Sequence, residues 1–297
     1  MKSYYDIVGD GGSDIVGQVE AQQERIVRSL SGVRNLVAVG SGKGGVGKST
    51  LTMQLACALR ASGHAVSILD ADLNGPCQAR LGGLKAWIPV PGERGVPLPK
   101  APNGIGVVSM GSMVPEPRAV DFASVASGSS HTWRATREFT ILRELLASMD
   151  WGALDFLLVD LPPGAERIVQ YAELLGSSSL FILVTIPSDL SRGVVARSID
   201  ALANTPNRIL GYIENMDGYY CADCGNVKPL FPASSKVKLD LACLGSVPFD
   251  PELAALCDRG GSLSDSPQSV SWQSVKRIVE KVVRAASAKA LCSEEKA

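Results

Sequence analysis

The sequence predicts an α/β fold, a doubly wound and mostly parallel sheet of about seven or eight strands covered by helices on both faces. Three observations carry this expectation. Short Val-, Ile- and Leu-rich runs alternate with stretches of helical periodicity. A glycine-rich phosphate-loop pattern stands between the first such run and the first strong helix. Acidic residues close two further runs, where ligands gather in such sheets.

Residues 1–34 read as a polar lead-in, with a helix expected over Ile15–Leu30, where apolar and charged residues alternate at helical spacing. Strands are expected at Asn35–Gly40, Ala65–Asp70, Gly106–Met110, Asp155–Asp160, Ser179–Ile186, Arg208–Glu214 and Leu244–Val247. Helices are expected at Ser49–Ser62, Arg137–Met149, Arg167–Leu175, Leu190–Ala203 and Pro251–Asp258. Two segments break the rhythm. Trp87–Asn103 carries five prolines and reads as an extended excursion, and Val120–Thr132, with Ser127-Gly128-Ser129-Ser130, reads as a loop. The last helix places Trp272, Val275, Val279, Val282 and Ala286 on one face, with Lys276, Arg277, Lys281 and Arg284 elsewhere. Core packing is the commoner use of such a helix, and membrane binding the other. The expected units are thus 1–34, a nucleotide-binding domain over 35–265 with a cysteine-bearing loop at 219–230, and a helix and tail over 266–297.

Composition narrows the function classes. Over 297 residues, 29 basic against 30 acidic side chains leave a formal charge of −1, which gives no global field for nucleic acid or an anionic membrane. No apolar run approaches the ~18 residues of a membrane-spanning helix. The first residues, rich in acid and glycine, lack the apolar core of a signal peptide. Seven cysteines, an odd and scattered number, suit a reducing compartment, so a cytoplasmic location is expected.

Gly42-Lys43-Gly44-Gly45-Val46-Gly47-Lys48-Ser49, followed by Thr50, matches G-x-x-x-x-G-K-[ST] in full. Glycines let successive backbone N–H groups turn toward one anion, and the helix N-terminus adds positive potential. Lys48 is expected on the β- and γ-phosphates and the Ser49 hydroxyl on Mg²⁺. Lys43 is a second cation inside the loop, either solvated or complementing phosphate held by a facing subunit. Asp70 and Asp72 close one strand and Asp160 another, before Pro162-Pro163-Gly164. Among them one carboxylate is expected to hold Mg²⁺ through water and another to orient an attacking water.

Cys221-Ala222-Asp223-Cys224-Gly225 is a metal knuckle, in which both thiolates face one ion and backbone N–H groups point at sulfur. Four ligands are usual and the chain has no second C-x-x-C. A cluster shared across a twofold axis, recruitment of Cys243 or Cys257, and a simple redox dithiol all remain open here.

GSGKGGVGKST, LDADLNGP, DFLLVDLPPG, GYIENMDGYYCADCG and LGSVPFD follow one another as in the Mrp/ApbC-type P-loop ATPases, relatives of ParA/MinD with a deviant, signature-lysine Walker A loop. The resemblance covers about residues 33–260 and implies an ATP-hydrolysing carrier or scaffold for iron–sulfur clusters. It implies a homodimer, or a heterodimer with a paralogue, that sandwiches Mg²⁺–ATP and serves apoprotein clients. Lys43 would be the signature lysine reaching the partner's ATP, catalytic together with Lys48 and Asp72. Asp72 would belong to the first switch, Asp160–Gly164 to the second, and Asn215 to the adenine side. Asp70 and Asp160, with Ser49, would hold magnesium directly or through water. Cys221 and Cys224 would supply half of a bridging [4Fe–4S] cluster. The chain departs from the pattern at Cys77, Trp133-Arg134-Ala135-Thr136, Ala165-Glu166 and Ser188. Two rivals are a positioning ATPase that binds membrane or DNA, and a P-loop ATPase with structural zinc at the C-x-x-C.

Overall fold

In the computed structural model, which describes residues 15–113, 131–231 and 237–294, the chain opens on helix α1 (Ile15–Ser29). Strand β1 (Val33–Ser41), helix α2 (Lys48–Ala61) and strand β2 (Val66–Asp70) follow. Then come the short helix α3 (Gln78–Leu81), strands β3 (Val96–Pro97) and β4 (Gly106–Val108), and the short helix α4 (Met110–Met113). After α5 (His131–Ser148), β5 (Met149–Asp150) and β6 (Leu154–Asp160), the chain alternates through α6 (Ile168–Leu175), β7 (Leu180–Thr185) and α7 (Asp189–Ala203). It ends with β8 (Arg208–Cys221), β9 (Asn226–Lys228), β10 (Cys243–Phe249), α8 (Pro251–Asp258) and α9 (Val270–Glu294).

The main sheet has eight strands in the order β10-β8-β7-β1-β6-β2-β4, with β9 added antiparallel to β8 and every other pairing parallel. Alternation along β1 decides the layers. Val37 and Val39 join one apolar cluster with α2, α8 and α9, while Leu36 and Ala38 join a second with α1, α5, α6 and α7. A strand buried on both faces has no polar side to show, which is why β6 and β7 read as continuous apolar runs. Fully buried side chains such as Ile68, Leu146 and Phe181 each contribute about 1.5–3 kcal/mol to this double core. Because β6 and β7 lie on opposite sides of β1, the strand order reverses at its carboxyl end. The phosphate loop leaves the sheet at that crevice.

Four sequence expectations change. The strand expected to stop at Glu214 runs on to Cys221, so the cysteine loop is the tip of a β8–β9 hairpin. The proline-rich excursion contributes β3, which pairs in parallel with β5 in a small second sheet. Helix α5 starts six residues before Arg137, at His131. The loop expected at 120–132 lies outside the described residues except for His131 and Thr132, which are helical. Helix α9 buries Trp272, Val275, Val279, Val282 and Ala286 together with Ile278 against α2 and β10, so its apolar face is already covered. No helix among the described residues is long and apolar enough to cross a membrane.

Candidate functional site

The loop between β1 and α2 is shaped by two left-handed glycines, Gly45 (φ 79°) and Gly47 (φ 78°). Buried Val46 pins the turn between them. Gly47 caps α2 without a side-chain hydrogen bond, so the first N–H groups of a fourteen-residue helix face outward for an anion. Glycine is also required sterically at 47, where a Cβ would come within 2.2 Å of Asn215 Nδ2. That amide donates to the Val46 carbonyl (2.9 Å), so Asn215 braces the loop from β8. Lys43 is half-exposed, with the Ser41 hydroxyl donating to its carbonyl (3.1 Å).

Behind the loop the buried polar groups converge. Lys48 Nζ donates to Asp160 Oδ1 (2.5 Å) and to Ser49 Oγ (3.2 Å). Thr52, one turn along α2, donates to the same Asp160 oxygen (3.2 Å), and Gln78 Nε2 reaches Asp160 Oδ2 (2.7 Å) and the Ser49 carbonyl (3.0 Å). Asp70 lies in the same cluster, with both carboxylate oxygens engaged by the protein. Its Oδ2 accepts from Cys77 N, Gln78 N and Ser109 Oγ at 2.8–3.0 Å, and Oδ1 from Asp72 N (3.2 Å). Only Oδ1 has acceptor capacity to spare, so the carboxylate acts first as the clasp that folds the segment after β2 against β4. Burial and the neighbouring Asp160 charge push its pKa up to about 7.

The expected switch segments are tied to one another. Asp72, half-buried, accepts from Gly75 N (3.1 Å), and Asn74 Nδ2 donates to Glu138 Oε1 (2.6 Å) on α5. Glu138 in turn pairs with Arg167, whose guanidinium lies over the Phe139 and Tyr171 rings at 5.8 and 5.7 Å. On the other side Leu161 N donates to Val39 O (3.0 Å) and Gly164 N to Ser41 O (3.1 Å), which stitches the Asp160–Gly164 segment to the strand under the loop.

Past Asn215 the strand changes character. Met216 sits at φ 56°, the only non-glycine residue with positive φ among those described. The register with β10 then slips, because Val247 faces Asn215 while Phe249 faces Tyr219. Tyr219–Cys221 next pairs with Asn226–Lys228, and the turn closes with Gly225 N donating to Cys221 O (2.9 Å). At this tip Cys221 is half-buried and Cys224 exposed. The Cys224 backbone N–H aimed at the Cys221 sulfur lowers that thiol's pKa, as metal-binding thiols require. Tyr219 stacks on Phe249 (6.2 Å), and Val227 on β9 and Leu230 just past it are exposed. Recruitment of Cys243 or Cys257 fails on topology. Cys243 pairs with Tyr212 at the opposite end of β10, and Cys257 is buried against Gln54 of α2.

Sequence reasoning missed Thr52, Gln78, Ser109 and the Glu138–Arg167 pair. Thr52 follows Lys48 by one helical turn and was open to inference, while the others meet the site only through tertiary contacts.

Residues 32–283 match the ParA family model described as NUBPL iron-transfer P-loop NTPase. The chain is 31% identical to the iron-sulfur cluster carrier protein of Saccharolobus solfataricus, covering 90% of each chain. It is 34% identical to the cytosolic Fe-S cluster assembly factor NUBP2 of Gallus gallus, covering 86% of this chain and 94% of that one. Among solved structures it resembles a nucleotide-binding protein of Archaeoglobus fulgidus in complex with ADP, at TM-score 0.66 and 29% identity over 84% of this chain and 95% of that one. Aquifex aeolicus MinD shares the fold at TM-score 0.58 and 22% identity, over 84% of this chain and 96% of that one.

Proposed function

Because the chain belongs to the NUBPL iron-transfer P-loop NTPase family, we propose that it carries an iron–sulfur cluster to apoproteins and hydrolyses ATP to switch between holding and releasing it. The cargo is a [4Fe–4S] cluster bridging two subunits, a homodimer or a pair with a paralogue, and the site of action is the cytosol. The observation that carries this reading is the hairpin. Its two cysteines sit at the end of the same strand whose Asn215 holds the phosphate loop.

The geometry of the loop and the buried cluster behind it supports the following roles. The backbone of Gly42–Thr50 cradles the phosphates and Lys48 neutralises charge on them. The donor set fits magnesium, since Ser49 Oγ and the Asp160 carboxylate share one buried cluster and Gln78 Oε1 beside them is an unmatched acceptor. When bound, magnesium supplies charge stabilisation for the transferring phosphoryl group. Ser49 would ligate it, Asp160 would hold it through water, and Asp70 could offer no more than Oδ1. Asp72 orients water, Lys43 reaches the facing subunit's phosphates, and Asn215 presents its amide on the adenine side. Phosphoryl transfer is here a switch, so slow turnover suffices. Residues 35–265 form the ATPase unit, with 1–34 as lead-in and 266–297 as the final helix and tail.

Anaerobic reconstitution with iron and sulfide tests the reading. The parent is expected to gain labile iron and a thiolate-to-iron absorption band, and Cys221→Ala/Cys224→Ala to gain neither. Equal iron in both, or stoichiometric zinc without iron, would overturn it.

A further inference from the structure

Gln78 is the member of the phosphate cluster to which neither the motif nor the family resemblance gives a task. It stands in the first turn of α3 and is fully buried. Its Nε2 donates to Asp160 Oδ2 (2.7 Å) and to the Ser49 carbonyl (3.0 Å). Those two acceptors fix the amide's orientation, because the reversed side chain would set its oxygen against a carboxylate and a carbonyl. Oε1 of the same amide is buried and has no hydrogen-bond partner. Buried acceptors in folded proteins are almost always matched, either by protein or by bound water. The nitrogen of the same amide is bound to Ser49 and Asp160, the residues read as the magnesium side of the site, so a water on that ion is a donor of the right chemistry.

We propose that Gln78 is a positioning residue for nucleotide-bound magnesium: its N–H group holds Asp160 and the Ser49 backbone in place, and its Oε1 accepts a hydrogen bond from a water on the ion. The assignment rests on the reading of Ser49 and Asp160 as the magnesium side of the site. A neutral amide suits the position. It supplies an acceptor without adding a third negative charge beside Asp70 and Asp160, which are both fully buried. It also joins three chain segments, α3, the start of α2 and the end of β6, so that ion and nucleotide are sensed together by the segment that follows Asp72.

The test is a Mg²⁺ titration of the full chain with a fluorescent ATP analogue, repeated without metal in EDTA. Gln78→Met keeps length and burial but removes both polar atoms, and the apparent Kd for Mg²⁺ is expected to rise about tenfold or more. Nucleotide affinity in EDTA should fall less than the Mg²⁺ affinity does, since the loop keeps its brace from Asn215 while the metal's water loses its acceptor. Gln78→Leu removes the same two polar atoms with a shorter apolar side chain, so its Mg²⁺ affinity should fall likewise. Unchanged Mg²⁺ affinity in Gln78→Met, or an equal fall in EDTA, would overturn the proposal. If Gln78→Met does not fold, unchanged Mg²⁺ binding by Gln78→Leu overturns it alone. A parent that binds no nucleotide under either condition would instead sink the ATPase reading beneath it.

Discussion

Gly47 shows how tightly single residues are constrained in this site. Its φ of 78° and the 2.2 Å approach of Asn215 Nδ2 leave no room for a methyl group. Gly47→Ala is expected to add about 1–2 kcal/mol of left-handed strain and to push Asn215 off the Val46 carbonyl. Nucleotide affinity measured by calorimetry should fall at least about tenfold, and an affinity equal to the parent's would show that the brace is dispensable. Asp70 gives a pH signature. Burial raises its pKa from 3.8 to about 7, so the folded chain holds a proton that the unfolded chain releases between those values. Its contribution is fully present below pH 3.8 and is lost as pH rises through about 7. The Tm of Asp70→Asn, which stays neutral, should therefore gain on the parent's between pH 4 and 7 and hold a constant offset above. A flat difference across that range would contradict the raised pKa. The loop itself was legible because its chemistry is consecutive in sequence. Gln78 was not, because it meets Ser49 from 29 residues away and Asp160 from 82. No periodicity in one sequence encodes such a meeting.

Strand β8 is the element whose reading from sequence fell shortest. Met216-Asp217-Gly218 breaks the apolar pattern and signals a turn, yet the strand absorbs these residues as a register slip and resumes in the cysteine hairpin. What preserved it was pairing with β9, a long-range gain that local propensity does not contain. Gly218 is the residue that allows the slip. At φ 87° a Cβ there would meet the Lys228 carbonyl at 2.9 Å and Val227 Cγ1 at 2.5 Å. Gly218→Ala should splay β9 from β8 and reduce iron uptake on reconstitution, with nucleotide affinity within about twofold of the parent. Undiminished iron would show that the hairpin's pairing does not position the thiols. Helix α9, by contrast, followed its periodicity faithfully, and its apolar face packs into the core. Val279→Asp places a charge in the core against α2 and β10 and should cost ~3 kcal/mol or more by urea unfolding. A change below about 1 kcal/mol would mean that the helix docks loosely.

At the scale of the whole molecule, the alternation of strand and helix made the sheet legible, but the completeness of the metal site was not. The C-x-x-C looked like half a site, and cysteines elsewhere in the chain could in principle have finished it. Topology removes that option for the two candidates, since Cys243 begins β10 at the end away from the hairpin and Cys257 is buried under α2. Among the described residues no third His, Cys, Asp or Glu joins the pair in a metal-sized group. The proposed cluster would then take its other ligands from a second chain, and an isologous pairing would bring an identical hairpin to the first. This has a stoichiometric consequence that mixing can measure. Parent and Cys221→Ala/Cys224→Ala chains, allowed to exchange subunits before anaerobic reconstitution, form pairs at random. If a cluster needs four thiolates from two chains, bound iron should fall with the square of the parent fraction, to about one quarter in an equal mixture. If one chain's two thiolates suffice, the fall is linear and about one half remains. The quadratic curve makes the pair of chains the functional unit, and a linear one would return the cluster to the single hairpin.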